Sequence, residues 1–277
     1  MSEFLSIMVA PFVACLVLVG IHAYLGIHVL QRGIIFVDLA LAQVAALGMA
    51  VAALLGLAPD GREAYLFALL FALGGAGVLT FSRPGRAPIP QEAVIGVVYA
   101  TAAAAMVLVT AQAPHGAEAV QALLVGSILW VNWSEIGTMA LLYGAVGWFH
   151  WSRRERFLAL SFDPERAQRE GWSWPFWDFL FYATFALVVT KSVQVAGVLL
   201  VFSFLVVPAM AGALLASRLR DRLLFGWGIG VAVSVVGITA SYVWDLPTGA
   251  VVVCTFGLAL LLIGLIARWK GITKGAY

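Results

Sequence analysis

Two polar side chains, Asp38 and Gln43, interrupt an otherwise apolar stretch that runs from Gly33 to Gly48. A carboxylate at membrane depth costs about 2.5–3.5 kcal/mol on insertion scales, so such a group usually faces protein or a water-filled cavity. The two residues are five positions apart, which separates them by about 140° around an α-helix. They do not form a pair on one helix face.

Three more polar residues lie in or beside apolar runs. His22 and His28 fall near one end of the first run and are about 120° apart around a helix, so either could approach the helix that carries Asp38. Glu92 begins a later run. A carboxylate and two imidazoles placed in this way are candidates for a functional site inside the membrane.

Each of these candidates also has a structural interpretation, which the sequence leaves open. Gln43 could make a hydrogen bond between helices. Asp38 could pair with Arg32 or another nearby base, and Glu92 could cap the helix that it begins. The histidines could be ordinary packing residues.

The composition requires a membrane around these residues. Of the 277 residues, 63% are hydrophobic and 11% are charged, whereas soluble domains average about 25% charged residues. The mean hydropathy is +1.00. The net charge of +2 is too small to indicate nucleic-acid binding. We therefore predict an all-α polytopic membrane protein that forms a single transmembrane domain over residues 1–277.

Apolar runs of about 20 residues predict eight to nine transmembrane helices. One shorter apolar segment, 118–131, cannot cross the membrane and predicts a re-entrant or interfacial piece. The least polar interruption between two apolar runs is predicted at 191–195. The predicted spans are 5–27, 33–57, 64–82, 91–112, 135–152, 176–190, 196–216, 222–243 and 248–268.

The distribution of basic residues predicts the orientation of the chain. With nine crossings, all of the 16 lysines and arginines except Arg62 and Lys191 fall on one side of the membrane. Because cytoplasmic loops carry the excess of basic residues, we expect the N-terminus outside and the C-terminus in the cytoplasm.

The main hydrophilic loop, about 152–175, contains signals for a short helix. Asp163 can cap it, Pro164 suits its first position, Glu165 suits its first turn and Gly171 can end it. From the residues alone, this helix could be a plain amphipathic linker or a coupling helix that docks on a motor subunit.

Five motifs, in the same order, resemble those of a known family. The family comprises the permease subunits of ABC importers of the zinc, manganese and chelated-iron type. The resemblance extends over most of the chain. The similar stretches are Glu92–Gly96, Leu124–Leu129, Ser161–Gly171, Gly197–Ala211 with Pro208, and Ser241–Gly249 with Asp245 and Pro247.

The resemblance implies the partners and the cellular location. A second copy of the permease, two cytoplasmic ATPases and an extracytoplasmic solute-binding protein would complete the importer in the bacterial inner membrane. ATP would bind the partner ATPase, since this chain contains no Gly-x-x-x-x-Gly-Lys-Ser/Thr loop. The chain would be a transport subunit rather than an enzyme, without a permanently bound cofactor.

The resemblance also implies roles for particular residues. The translocation path would be lined by five residues that touch the substrate, with Asp38 and His28 as metal ligands. The five are Asp38, Gln43, His22, His28 and Glu92. The loop residues Asp163, Pro164, Glu165, Ala167 and Gly171 would couple the permease to the ATPase. Gating or packing roles would fall to Gly197, Pro208, Asp245 and Pro247.

One part of the family pattern is altered. The family's second span usually carries Asp-x-Leu-x-His, whose two polar residues share a helix face and suit one metal ion. Here Gln43 takes the histidine position and Leu39 the aspartate position, with Asp38 one residue earlier. Because a neutral amide is a poor zinc ligand, the cargo is left as zinc, manganese or a metal chelate. The alternative function is a stand-alone secondary transporter in which Asp38 titrates.

Overall fold

A computed structural model describes residues 2–58, 61–82, 90–112, 126 and 128–269, with side chains from residue 7 onward. This part of the chain is helical, with one 3-10 turn at Ile128–Trp130. Its eleven α-helices are α1 (Ser2–Arg32), α2 (Val37–Leu54), α3 (Arg62–Phe81), α4 (Gln91–Thr110), α5 (Trp133–Ser152), α6 (Arg154–Phe162), α7 (Pro164–Arg169), α8 (Trp174–Ala196), α9 (Val198–Leu215), α10 (Leu219–Trp244) and α11 (Thr248–Trp269).

Eight of these helices, α1–α4 and α8–α11, are long and apolar enough to cross a membrane. The predicted all-α membrane fold is therefore confirmed, and these eight candidates among the described residues fall within the predicted eight to nine spans. The predicted span 135–152 corresponds to α5, which has 20 residues but is not among the eight. Its sequence includes Glu135, His150 and three tryptophans, which lower its hydropathy.

Two predicted boundaries are wrong. The helix predicted at 33–57 starts only at Val37, because the chain turns at 33–36. The break predicted at 191–195 is absent, since α8 continues through these residues to Ala196. The break lies instead at Gly197, whose φ of 77° is in the left-handed region that favours glycine.

The loop at 152–175 contains two helices rather than one. The helix predicted from Asp163 onward is present as α7, and α6 precedes it without having been predicted. The predicted interfacial segment 118–131 lies mostly outside the described residues. The same is true of four basic residues used to predict the orientation, namely Arg83, Arg86, Lys270 and Lys274.

The chain divides into two compact units. The first contains residues 1–30, 125–141 and 195–277. Within it, α9, α10 and α11 pack against one another. Helix α1 approaches α9 so closely at Gly26 that a Cβ there would overlap the backbone carbonyl of Leu205. Such close helix approach is how membrane bundles gain van der Waals contact in lipid.

The second unit contains residues 31–124 and 142–194. Here α2 packs against both α3 and α4. Ala64, Ala68, Ala72 and Ala76 are fully buried at four-residue spacing along α3, where their small side chains permit close packing. An aromatic cluster joins α5, α6 and α8, in which the ring of His150 stacks on Phe157 with centroids 4.0 Å apart.

Candidate translocation and coupling site

Asp38 is the second residue of α2 and is 1% exposed. Neither of its carboxylate oxygens accepts a hydrogen bond within the described part of the chain. The alternative that Asp38 pairs with Arg32 is wrong, since Arg32 pairs with Asp178. The carboxylate lies in the first turn of α2, where the helix dipole favours negative charge.

Glu92 joins α4 to the same end of α2. Its Oε1 atom accepts a hydrogen bond from the backbone N–H of Phe36, at 3.1 Å. Phe36 is the residue that precedes α2. The alternative that Glu92 caps its own helix is therefore wrong, because no side chain caps α4 and Glu92 bonds instead to the residue before α2. Two carboxylates, those of Asp38 and Glu92, are thus placed at the N-terminal end of α2.

Gln43 is buried one turn further along α2. Its Nε2 atom donates a hydrogen bond to the sulfur of Met106 on α4, at 3.4 Å. This confirms the interhelical hydrogen bond that the sequence offered as one interpretation. A thioether is a weak acceptor, so this bond holds the amide only lightly.

The two histidines of α1 belong to the first compact unit. Both are fully buried. His22 Nδ1 lies 2.9 Å from the carbonyl oxygen of Leu18, so Nδ1 carries the proton in this contact. His28 packs edge-on against Tyr24, with centroids 4.7 Å apart. No group of three or more His, Cys, Asp or Glu residues suited to a metal ion occurs within the described residues, and the ligand roles of Asp38 and His28 stay predictions.

A buried ion pair that the sequence did not predict ties the end of α1 to α6 and α8. Arg32 Nη1 lies 2.8 Å from Oδ1 of Asp178, and Arg32 Nε donates to the hydroxyl of Ser161 at 2.8 Å. The guanidinium carbon is 3.9 Å from the centre of the Phe181 ring. Asp178 is the one acidic residue of α8. A single acid in an apolar helix was the only feature of the sequence that could have indicated this ion pair.

Helix α7 has the caps that its sequence predicts. Asp163 Oδ1 accepts a hydrogen bond from the backbone N–H of Arg166 at 3.1 Å, and Pro164 is the first helical residue. Gly171 follows the helix with a φ of 68°. Between them, Glu165 is exposed and Ala167 is buried.

The outer surface of α7 is charged. Arg166 Nε lies 2.8 Å from Oε1 of Glu170, one turn away. The hydrogen bond and charge of Glu170, aided by the charges of Glu155 and Asp163, raise the pKa of Arg166. Arg166 and Glu170 are both exposed, so they leave a polar helix surface available to a partner.

The predicted gating or packing residues lie at helix ends or inside a helix of the first unit. A Cβ on Gly126 would overlap the backbone of Ala196, next to Gly197. Pro208 is buried inside α9. Asp245 ends α10 with a left-handed backbone.

The turn from α10 to α11 is closed by hydrogen bonds. Ser241 Oγ donates to the carbonyl oxygen of Leu246 at 2.7 Å and lies 2.8 Å from Thr248 Oγ1. Pro247 accepts the backbone N–H of Val251 at 3.1 Å, which starts α11. These contacts account for Asp245 and Pro247 as turn residues.

Known proteins resemble this chain over most of its length. It is 26% identical over 259 residues to a Haemophilus influenzae protein named "Probable iron transport system membrane protein", covering 91% of this chain and 87% of that protein. It is 24% identical to the manganese import system permease protein ScaB of Streptococcus gordonii, covering 91% and 88%.

A solved structure has the same fold. It is PsaBC from Streptococcus pneumoniae in complex with Fab, with a TM-score of 0.78 and 22% identity, covering 95% of this chain and 94% of that one. The model of the ABC 3 transport family matches residues 4–267. This chain therefore belongs to the ABC 3 transport family.

Proposed function

We propose that this chain is the membrane-spanning permease subunit of an ABC importer for a divalent metal ion. Manganese is the first candidate for the cargo, followed by zinc and by a metal chelate. Membership of the ABC 3 transport family supports the class of transporter. The names of two relatives assign iron transport and manganese import to those proteins. The observation that carries the proposal is the buried Asp38 carboxylate with no hydrogen-bond donor in the described residues.

A buried carboxylate without a donor favours the passage of a cation. Isolated charges are strongly destabilised away from water, and a passing cation relieves that penalty. Glu92 supplies a second carboxylate at the same end of α2. Alternating access would expose these groups first to one side of the membrane and then to the other.

The types of donor atom favour manganese over zinc. Asp38, Glu92 and Gln43 all offer oxygen atoms, which suit manganese, whereas zinc favours histidine nitrogen and cysteine sulfur. Gln43 stands where the family pattern has histidine. We therefore place manganese first.

Helix α7 supports a partnership with a motor subunit. It is short, capped at both ends and exposed on its polar side, and Ala167 anchors its buried side. We propose that it docks on a cytoplasmic ATPase that binds ATP for the whole assembly. The assembly consists of two permease copies, two ATPases and an extracytoplasmic binding protein in the bacterial inner membrane.

The chain offers a route from α7 to the membrane helices. Ser161, two residues before the α7 cap, bonds to Arg32, and Arg32 ends α1 just before α2 begins. ATP-driven closure of the ATPases pushes α7, and this displacement reaches α1 and α8 through Arg32 and Asp178. The bundle then switches inward, a rigid-body transition of the kind used by many transporters.

The proposal can be tested in vesicles that contain the complete assembly. We expect ATP to drive the accumulation of radioactive manganese, and an ATPase subunit that cannot hydrolyse ATP to abolish it. Parallel uptake measurements with zinc and with chelated iron distinguish the possible cargoes.

The same vesicles test the stand-alone carrier. A secondary transporter with Asp38 as its titrating group would take up its substrate without the ATPase, driven by a proton gradient. Uptake that survives removal of the ATPase would overturn the ABC proposal in favour of that carrier. Loss of gradient-driven uptake in Asp38→Asn would then locate the coupling site.

A further inference from the structure

An open cleft of about 400 Å³ lies where α5 ends and α6 begins. Three arginines and two tryptophans account for most of its lining. They are Arg153, Arg154, Arg156, Trp151 and Trp172. The combination of a cavity, clustered guanidinium groups and aromatic walls is a binding surface that the transport cycle above leaves unused.

Two of the three guanidinium groups, those of Arg154 and Arg156, lie over aromatic rings rather than beside acids. The guanidinium carbon of Arg156 is 4.5 Å from the centre of the Trp177 ring and 5.8 Å from that of Trp172. That of Arg154 is 5.5 Å from the Trp151 ring. None of the three arginines forms an ion pair with an acidic side chain of the described residues, in contrast to the paired Arg32. Their donor groups are therefore available to an anion.

One acidic residue, Glu155, also lines the cleft. Its charge acts on Arg166 of α7, whose pKa it helps to raise. It forms no ion pair with the cleft arginines among the described contacts. The lining therefore keeps an excess of positive charge.

The tryptophans of α5 set the depth of the cleft in the membrane. Trp148 and Trp151 lie near the end of this helix that meets the cleft and are 68% and 64% exposed. Exposed tryptophans are typical of the two membrane–water interfaces. The cleft beside Trp151 therefore opens at the level of the lipid headgroups.

We propose that this cleft binds the phosphodiester headgroup of an anionic phospholipid. Arginine presents a planar set of donors that matches phosphate oxygens, and basic pockets at a membrane surface are typical sites for anionic lipid headgroups. The tryptophan walls would contact the glycerol backbone and upper acyl chain. A free phosphate ion shares the headgroup's charge but gains nothing from these walls.

Native mass spectrometry of the purified complex, released from detergent micelles that contain either phosphatidylglycerol or phosphatidylcholine, tests the proposal. The test variant is Arg153→Gln/Arg154→Gln. The matched control is Arg218→Gln/Arg220→Gln, which removes the same charge from two exposed arginines at the start of α10. Arg156 is retained in both because it packs on Trp177.

We expect the wild-type complex to retain phosphatidylglycerol in preference to phosphatidylcholine. The test variant should weaken that binding by about 25-fold, because each of the two arginines near an anionic membrane surface contributes a factor of about five. The control variant should bind phosphatidylglycerol within about twofold of the wild type. Inorganic phosphate at millimolar concentration should not displace the lipid.

Three results would overturn the proposal. Equal losses in both variants would mean general attraction to a charged surface. Displacement by inorganic phosphate would mean a simple anion site. Loss of the ATPase subunit from the complex of the test variant, with lipid retained, would mean that the arginines bind protein instead.

Discussion

Arg32 and Asp178 form an ion pair at 2.8 Å, although 146 residues separate them in the sequence. Their side chains are 3% and 1% exposed. Removing one partner of a buried pair typically costs about 3–5 kcal/mol, because the other charge is left buried alone. We expect Asp178→Asn and Arg32→Gln each to lower the stability of the purified protein in detergent by about this amount.

Thermal unfolding measurements check this prediction. The double variant Arg32→Met/Asp178→Leu removes both charges and should recover part of the loss. Arg166→Gln is the matched control, since it breaks an exposed pair, and it should leave the melting temperature unchanged. Equal effects of Asp178→Asn and Arg166→Gln would contradict the assignment of a buried pair.

Gly26 and Gly20 provide a matched pair on α1. Alanine usually stabilises a helix relative to glycine by up to about 1 kcal/mol. A Cβ at Gly20 meets no atom within 4 Å, whereas one at Gly26 would overlap the carbonyl of Leu205. We expect Gly20→Ala to be neutral or stabilising and Gly26→Ala to be destabilising in the same thermal assay. Matching results for the two variants would argue against the close approach of α1 and α9.

Asp163→Ala should weaken helix α7 by removing its cap. Loss of an N-cap side chain typically costs about 1 kcal/mol, and the bond from the backbone of Arg166 would be lost with it. We expect slower ATP-driven manganese uptake and more ATP hydrolysed per ion. Asp163→Asn keeps the capping oxygen and should restore both quantities; if it behaves like alanine, charge rather than capping matters.

Asp38 and Gln43 should determine passage and selectivity of the cargo. We expect Asp38→Asn to reduce manganese uptake at least about tenfold, because the amide has no charge to balance the cation. Gln43→His should shift the preference toward zinc, since imidazole is a better zinc ligand than an amide. The ratio of zinc to manganese uptake measures the effect, and an unchanged ratio would remove Gln43 from the selectivity site.

Local signals in the sequence were enough to predict helix α7. Asp163, Pro164 and Gly171 act within their own turn of the chain, so spacing alone identified the start and end of the helix. The apolar runs likewise located the membrane helices. Both predictions depend on contacts between near neighbours in sequence.

The break predicted at 191–195 failed because polar residues were taken as the end of a helix. Ser192 Oγ donates to the carbonyl of Val188, and Lys191 Nζ donates to Gln194 at 3.0 Å, so the helix satisfies them internally. The sequence did not predict the partners of Arg32 and Glu92, for another reason. They lie 56 or more residues away, and hydropathy carries no information about such pairings.

The contact between Gly26 and the Leu205 carbonyl also has a genetic consequence. Every other residue that the code can place at position 26 carries a Cβ, so no missense change there reproduces the native backbone approach. The codon for Gly26 should tolerate only synonymous variation, whereas the codon for Gly20, six residues earlier, should accept a change to alanine. A saturation library of α1 scored for assembled protein would display this difference directly.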